Sequence, residues 1–444
     1  MRWWWLLVAA RVAGQACCRS GTTCATCADI APLCEFGAAN ATECTSVGYV
    51  WCEGVDVPEP SGECCDFVDP DGLCGTFVAE GGYCTYSQKC CEEDCGLSWY
   101  KNEGTPTYAP TAAPIAAPTI TPMPTATFAP TRLAPVEKWG ALRVDGTRIA
   151  SNATGAPVQL AGVSLYWSNF GWEGEDFYTA GTIASLAQWP GLSVVRAAMG
   201  VEDESGYLDL PDYNKRLVEI VVEAAIENGI YVIIDWHSHE AENYPEAAKN
   251  FFAEMATAYG GYPNVIFEIY NEPEPLENRT WEVIKAHCED VLAVIRPISD
   301  NLAIVGTRRW GQYPNESAAD PVDDVNVAYS VHFYAGWEGH DDIKDAVHEA
   351  VELGAPIFAS EWGQGCPHIA CDLDRNNTES WIGIMDDYQI SWVNWVLNDK
   401  SDVIDDTLSI FLPGVDPVGP WDDDDADYTD AGKYTKSLIA RYAT

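Results

Sequence analysis

Short apolar runs alternate with longer amphipathic runs along residues 140–400. The amphipathic runs repeat apolar residues at helical spacing: in residues 211–228, Leu217 and Val221 share one face, as in a helix packed on a core. Residues 281–298 follow the same spacing. The apolar runs are nearly continuous, as in strands that are buried on both faces. The eight strand-like runs cover residues 159–167, 194–200, 231–238, 265–273, 302–310, 327–336, 356–363 and 390–399.

This alternation predicts an α/β fold. Eight strand–helix units over roughly 300 residues are typical of a (β/α)8 TIM barrel, and we assign residues 138–444 to it. An open doubly wound sheet is the main alternative. The sequence disfavours it because no glycine-rich phosphate-binding turn follows the first strand-like run.

The chain before the barrel has a different composition. Fourteen of the 17 cysteines lie between Cys17 and Cys95, and an even, dense set in so short a segment predicts a disulfide-rich module over residues 17–103. Zinc binding is the alternative, but residues 17–103 contain no histidine. Residues 104–137 are rich in Pro, Thr and Ala and predict an extended linker.

Three cysteines lie within the barrel domain. We expect Cys366 and Cys371 to close a loop, and Cys288, on a helix-like run, to be a free thiol in the core.

The N-terminus predicts export. Arg2 precedes the apolar stretch 3–10, and Gly14-Gln15-Ala16 offers a small-x-small cleavage site, so we interpret residues 1–16 as a signal peptide. A membrane anchor is the alternative, but the stretch is far short of the ~20 apolar residues of a span. We therefore expect a secreted, extracellular protein. The five sequons fit a glycoprotein and lie at Asn40, Asn152, Asn278, Asn315 and Asn376.

Charge restricts the partners. The 444 residues include 24 Lys and Arg and 68 Asp and Glu, which gives a formal net charge of 24 − 68 = −44. Such a chain repels the phosphates of nucleic acids and anionic membrane surfaces, whereas a neutral polysaccharide is indifferent to it. We expect no nucleic-acid partner, no membrane partner and a monomer.

Two glutamates stand out at the ends of strand-like runs. Glu272 ends the run Val-Ile-Phe-Glu-Ile-Tyr-Asn-Glu, and Glu361 ends Pro-Ile-Phe-Ala-Ser-Glu. TIM barrels keep their chemistry at the carboxyl ends of the strands. Two carboxyl groups without a metal are typical of glycoside hydrolysis, in which one protonates the leaving oxygen and the other acts at the anomeric carbon.

Several motifs at the strand ends belong together. They are Val195-Arg196-Ala197-Ala198-Met199, Ile234-Asp235-Trp236-His237, Glu268-Ile269-Tyr270-Asn271-Glu272-Pro273, Val331-His332-Phe333-Tyr334-Ala335-Gly336, Glu361-Trp362-Gly363 and Asn394-Trp395. Over about residues 140–400 this set resembles glycoside hydrolase family five, and within it the bacterial-type endoglucanase (cellulase) subfamily. The first strand, Leu165-Tyr166-Trp167-Ser168, departs from the commoner pattern of that subfamily.

The resemblance implies a retaining mechanism with Glu361 as nucleophile and Glu272 as general acid/base. Arg196 would keep Glu361 ionised through a charge-assisted hydrogen bond, and Glu272 would begin protonated. Asn271 would bind the sugar 2-hydroxyl. The remaining substrate-orienting residues that it implies are His237, His332, Tyr334, Trp395, Trp310, Lys400 and Trp167. We expect no metal and no cofactor.

The sequence therefore predicts a secreted retaining endo-β-1,4-glucanase that hydrolyses cellulose or related β-glucans by double displacement. A β-mannanase or xyloglucanase on the same catalytic core is one alternative, and a non-catalytic glycan-binding protein is another. We interpret Glu268 as a structural partner of a buried cation and Asp422 to Asp425 as a solvated loop rather than a calcium site. The cysteine-rich module is expected to bind polysaccharide; the alternative is that it binds another protein or only shields the enzyme.

Overall fold

The computed structural model describes residues 133–337, 342–367, 371–400, 408–421 and 426–443, and before residue 133 only seven short strands. Most of the predicted signal peptide, cysteine-rich module and linker lie outside the described residues, as does the run Asp422 to Asp425. The chain divides into two compact units, Met1–Pro124 and Thr125–Thr444.

The described part of the first unit consists of antiparallel strand pairs. Strand β1 pairs with β2 and β3, β4 pairs with β7, and β5 pairs with β6. Their bounds are β1 Gln15–Cys18, β2 Cys34–Glu35, β3 Val50–Glu53, β4 Gly62–Cys65, β5 Phe67–Val68, β6 Cys74–Gly75 and β7 Ser98–Lys101.

The second unit is a closed barrel of eight parallel strands, which confirms the predicted fold. Neighbouring strands follow chain order from β10 to β17, and β17 pairs with β10 to close the sheet. The strands are β10 Ala161–Leu165, β11 Val194–Gly200, β12 Tyr231–His237, β13 Val265–Glu268, β14 Ala303–Val305, β15 Val327–Tyr334, β16 Ile357–Gly363 and β17 Ser391–Leu397.

Helices surround the barrel. Several begin at a proline, whose missing N–H costs nothing in the first turn; Pro211, Pro245 and Pro314 occupy that place. The helices are α1 Pro135–Trp139, α2 Ala180–Leu186, α3 Pro211–Glu227, α4 Pro245–Tyr259, α5 Trp281–Ile295, α6 Arg308–Gly311, α7 Pro314–Ala319, α8 Asp342–Glu352, α9 Arg375–Tyr388 and α10 Asp430–Ala440, with single 3₁₀ turns at Glu175–Phe177 and Ala241–Asn243. None of the helices in the described residues is long and apolar enough to span a bilayer.

A hairpin covers the amino end of the barrel. It consists of β8, Leu142–Asp145, and β9, Arg148–Ser151. Its Leu142 and Ile149 join one buried apolar cluster with barrel residues such as Tyr231 and Phe358. This end is closed by apolar packing, so the carboxyl ends of the strands are left for chemistry.

Two strands are shorter than predicted. Strand β13 ends at Glu268 rather than near Pro273, because the N–H groups of Asn271 and Glu272 turn away to bond Trp236 and Ser238. Strand β14 ends at Val305 rather than near Trp310. A sequence pattern marks the apolar run, but backbone pairing decides where a strand stops.

Both cysteine predictions within the barrel are confirmed. Cys366 and Cys371 form a disulfide with a Cα–Cα distance of 5.9 Å. Cys288 is a buried free thiol in helix α5, where burial raises its pKa and makes it inert.

Candidate active site

The predicted site residues converge at the carboxyl end of the barrel. Glu361 and Tyr334 lie at the ends of adjacent strands, and oxygens of Glu272 and Glu361 and a nitrogen of His332 all lie within 4.8 Å of one another. Both ring nitrogens of His332 are engaged, with Glu272 and with Ser360. The imidazole of His332 therefore has no ring nitrogen left for another ligand.

Arg196 is the centre of the nucleophile side. Its guanidinium has no solvent exposure and donates from Nε to Glu268 at 2.7 Å and from Nη1 to Glu361 at 3.0 Å. Its Nη2 bonds Asp235 at 2.9 Å and the amide oxygen of Asn271 at 2.6 Å. Glu268 is thus a partner of a buried cation, as predicted.

The charge balance around Arg196 differs from the expectation. Burial alone would lower the pKa of Arg196, but Asp235, Glu268 and Glu361 together raise it. One cation is shared among three carboxyl groups. The positive charge of Arg196 therefore stabilises the ionised form of Glu361 less than it would in an isolated ion pair.

Glu361 is a buried carboxyl group with two donors. Besides Arg196, the hydroxyl of Tyr334 donates to its Oε1 at 2.6 Å. Burial is the largest influence and raises the pKa of Glu361, and the negative charge of Glu272 raises it further. The charges of His332 and Arg196 and the hydrogen bond from Tyr334 oppose this rise without reversing it. Arg196 therefore opposes the effect of burial on Glu361, as expected, but it is not the only group that does so.

Glu272 lies on the other side, between two imidazoles. His332 Nδ1 donates to its Oε1 at 2.9 Å, and His239 Nε2 lies 3.5 Å from its Oε2. Burial would raise the pKa of Glu272, but the close contact with His239 and the hydrogen bond from His332 lower it to about 2. The unliganded site therefore favours the carboxylate form of Glu272, whereas the first step of the expected reaction requires its protonated form.

The protons reside on the two histidines instead. Burial would lower the pKa of His332, but two carboxylates raise it to about 9: Glu268, whose Oε1 lies 3.9 Å from Nε2, and Glu272, which is hydrogen-bonded to Nδ1. For His239 burial also lowers the pKa, but the close and negatively charged carboxylate of Glu272 raises it to about 9. Each imidazole is thus a charged neighbour that stabilises Glu272 as a carboxylate.

Within the described part of the chain, the side-chain amide of Asn271 is hydrogen-bonded at its oxygen but not at its nitrogen. Its Oδ1 accepts from Arg196, whereas its Nδ2 is buried without a hydrogen-bond partner among the described residues. Burying an unpaired donor is costly, so a donor kept in that state next to Glu272 is suited to a sugar hydroxyl.

Aromatic rings line the site beside the nucleophile. The ring of His237 stacks on that of Trp395, with the ring centroids 5.4 Å apart and an interplanar angle of 3°. The rings of His237 and Trp167 meet edge to face, with their centroids 4.3 Å apart. A 2.6 Å hydrogen bond between Nδ1 of His237 and Asp235 fixes the ring. Burial lowers the pKa of His237, and the charge of Arg196 lowers it further, so it is a neutral hydrogen-bonding group.

Lys400 lies on the nucleophile side of the site, and Trp310 lies on the acid/base side. Lys400 Nζ lies 4.1 Å from the ring centroid of Tyr166, which in turn contacts Trp395. Trp310 is 42% exposed, and its N–H bonds the carbonyl of Pro273, the residue after Glu272. Trp310 and its predecessor Arg309 both have left-handed backbone angles, φ 56° and φ 54°, and such strain is common at ligand sites.

Sequence reasoning missed three residues of the site. His239 and Tyr166 contact predicted site residues, and Asp235 was read only as part of a motif. His239 offers a signal, because it follows His237 by two residues and so shares its strand parity. Of the other predicted residues, Trp310 is located beside the site through its backbone bond to Pro273.

Comparisons with known proteins agree with this geometry. Residues 151–401, more than half of the chain, match the family model described as cellulase (glycosyl hydrolase family 5). Endoglucanase Z of Dickeya dadantii is 43% identical over 67% of this chain and 66% of its own length. Endoglucanase A of Evansella cellulosilytica is 39% identical over 65% of this chain and 58% of its own length. The chain thus spans less than two thirds of either relative.

Solved structures cover the same region. A protein from Cytophaga hutchinsonii is 38% identical with a TM-score of 0.65 over 70% of this chain and 98% of that one. The catalytic domain of Thermobifida fusca endoglucanase Cel5A is 31% identical with a TM-score of 0.62 over 69% of this chain and 99% of that one. The chain therefore belongs to glycosyl hydrolase family 5.

Proposed function

We propose that this protein is a secreted retaining endo-β-1,4-glucanase that hydrolyses cellulose or a related β-glucan by double displacement. The observation that carries the proposal is the pair Glu272 and Glu361, with oxygens within 4.8 Å of each other. Retaining glycosidases hold their carboxyl groups roughly 5–5.5 Å apart, whereas inverting enzymes leave roughly 6.5–9.5 Å for a water.

In the first step Glu361 attacks the anomeric carbon while Glu272 gives a proton to the glycosidic oxygen. The carbon–oxygen bond to the leaving group breaks, and an ester forms between the sugar and Glu361. Arg196 and Tyr334 each donate to one oxygen of Glu361, which orients the carboxylate and stabilises it until the ester forms.

In the second step water attacks the same carbon. Glu272, now a carboxylate, takes the proton of that water, and Glu361 leaves as a carboxylate. The two imidazoles beside Glu272 suit this base role, because they stabilise its ionised form. The unpaired Nδ2 of Asn271 is placed to donate to the 2-hydroxyl, a contact that strengthens in the transition state.

The positions of the aromatic residues suggest how the glycan lies. The leaving sugar must be next to the acid, and Trp310 is bonded to the residue that follows Glu272. Trp395 and Trp167 pack around His237 and would support the sugars that remain on the enzyme. Platforms on both sides of the catalytic pair favour cleavage within a chain.

The names of the relatives support a β-1,4-glucan. Both are endoglucanases, and a variant of the Thermobifida fusca enzyme, 31% identical to this chain, was solved with cellotetraose. A reducing-sugar assay across carboxymethyl cellulose, mannan, xyloglucan and xylan tests the assignment. Highest kcat/KM on mannan or xyloglucan would favour the alternatives, and no activity on any glycan would leave only a binding role.

The stereochemical outcome has its own test. Proton NMR of the first product should show the β anomer, the configuration of the substrate. Appearance of the α anomer first would contradict Glu361 as a nucleophile.

Residues 17–103 are proposed to be a targeting module. A disulfide-rich segment on a Pro- and Thr-rich spacer raises the local concentration of a catalytic domain at an insoluble surface. Deleting residues 17–103 should reduce retention on crystalline cellulose without changing turnover of a soluble glucan. Unchanged retention would refute targeting to cellulose.

A further inference from the structure

His239 faces the acid/base from the side opposite His332. Its Nε2 lies 3.5 Å from Oε2 of Glu272, while His332 bonds Oε1. The two imidazoles differ in access: the side chain of His239 is 29% exposed, whereas that of His332 is 1% exposed. Only His239 can exchange its proton readily with water.

The backbone of His239 is anchored at both its N–H and its C=O. Its N–H donates to Oε1 of Glu202 at 2.6 Å. Its carbonyl accepts from the hydroxyl of Tyr270 at 3.1 Å and from the N–H of Glu274 at 3.3 Å. These bonds join the loops after β11, β12 and β13, and they hold the imidazole against Glu272 before any substrate binds.

Charged groups face His239 from each of these loops and from the opposite strand. Glu202 follows β11 and is mostly buried, Glu272 follows β13, and Glu361 ends the apolar run of β16; all three raise the pKa of His239. His237 on β12 is the other titratable neighbour, with its ring 6.4 Å away, and it is neutral.

Further acidic groups of this region are already paired. Glu240, Glu242 and Glu274 surround Arg279. The negative charge that acts on His239 therefore comes mainly from Glu272 and Glu202, and it favours a protonated imidazole.

We propose that His239 is a positioning residue that stores the proton used by Glu272, an inference that rests on the proposed function. In the first step the N–H bond at Nε2 of His239 breaks and an O–H bond forms at Oε2 of Glu272, which passes that proton to the glycosidic oxygen. In the second step the proton of the attacking water goes to Glu272 and then to His239. The cycle returns both groups to their initial states.

This assignment reconciles the unliganded site with the reaction. Glu272 is a carboxylate flanked by imidazoliums, yet the first step needs it protonated. A sugar bound over Glu272 excludes water and favours the neutral acid. The proton is then on an imidazole nitrogen 3.5 Å from Oε2 of Glu272 rather than in solvent.

The test is His239→Gln, which keeps a neutral N–H donor near the position of Nε2 but cannot store a proton. The alkaline limb of kcat/KM on cellotetraose should move to lower pH by about one unit or more, since a group with a raised pKa has been removed. At pH values above neutrality kcat should fall by about 10–100-fold, as expected when proton transfer is impaired. KM should change little.

A second substrate separates this role from simple packing. A dinitrophenyl cellobioside needs little acid assistance, so His239→Gln should leave the rate of its first step nearly unchanged. Equal losses on both substrates would overturn the proposal. The matched control is His348→Gln, a half-buried histidine on α8 bonded to Tyr388, which should leave the pH profile unchanged.

Glu202→Gln provides an independent check. Its amide oxygen can still accept the N–H of His239, but the negative charge is lost, so the alkaline limb should shift in the same direction by a smaller amount. An unmoved limb in both variants would refute proton storage by His239. A wild-type protein that hydrolyses no β-glucan would instead refute the proposed function.

Discussion

The nucleophile side and the acid/base side of the cleft have opposite charge balances. On the nucleophile side one guanidinium faces three carboxyl groups, Asp235, Glu268 and Glu361. On the acid/base side one carboxylate faces two imidazoles, and the pKa of Glu272 falls to about 2. On the nucleophile side there is too little positive charge to ionise all three carboxyl groups fully. On the acid/base side the positive charge disfavours the protonated form of Glu272.

The difference shows that the unliganded site is not arranged as the reactive complex. A nucleophile must be ionised and an acid must be protonated, yet burial and the charge of Glu272 raise the pKa of Glu361. Because the two carboxyl groups are close, neutralising either one favours ionisation of the other. Moving one proton from an imidazole to Glu272 therefore corrects both sides at once.

The largest effect is expected from Glu361→Gln. The covalent route disappears, so kcat on cellotetraose should fall by at least on the order of 10⁴-fold. Glu379→Gln is the control, since Glu379 pairs with Arg441 on the surface and its loss should not change kcat. Near-normal activity of Glu361→Gln would break the comparison by showing that this side holds no nucleophile.

Glu272→Ala should separate the two steps. With cellotetraose the loss should be about 10²–10⁴-fold, the usual contribution of a general acid. A dinitrophenyl glycoside needs little acid assistance in its first step, so its ester should form quickly and accumulate, visible as a burst of released phenol. Equal losses with both substrates and no burst would mean that Glu272 is not the acid.

Much of this site could be predicted because the fold concentrates it. Parallel strands in a closed barrel place all their carboxyl ends in one ring, so Arg196, His237 and Glu361, far apart in sequence, had to meet. The interpretation of Glu268 as a partner of a buried cation is also confirmed, by its hydrogen bond from Arg196.

The remainder depends on backbone hydrogen bonds that a pattern does not reveal. Glu272 lies four residues beyond the end of β13, and His239 lies beyond β12; loop contacts with Ser238 and Glu202 place them. The sequence also did not indicate that three carboxyl groups share Arg196. It predicted the pair of Arg196 with Glu361, whereas Asp235 and Glu268 contact the same guanidinium.

Arg196→Met tests the nucleophile side through stability. Removing the guanidinium takes away the cation that three buried carboxyl groups share, and breaking such a buried pair costs roughly 3–5 kcal/mol in the free energy of unfolding. Without Arg196 the folded-state pKa values of these groups exceed the unfolded ones. Their stabilising contribution is then present below the unfolded pKa and is lost as pH rises through the folded pKa.

The stability deficit of Arg196→Met should thus be small near pH 4 and larger at pH 7, as measured by thermal unfolding beside wild type. A deficit that is the same at both pH values would mean that lost packing, rather than unpaired charge, dominates.

The smallest effect is expected from Tyr334→Phe, which removes a single donor from the nucleophile side. The hydroxyl of Tyr334 bonds Oε1 of Glu361 at 2.6 Å and lowers the pKa of that carboxyl group. Without it the pKa of Glu361 should rise further, so the acid limb of kcat/KM should move to higher pH. At the optimum kcat/KM should fall by about fivefold to tenfold, the value of one net hydrogen bond. The alkaline limb should stay in place, because it belongs to the proton held by His239 and His332 beside Glu272. Movement of both limbs would show that Glu361 and the groups around Glu272 titrate as one unit. Movement of the acid limb alone would show that the hydroxyl of Tyr334 sets the pKa of the nucleophile independently of the acid.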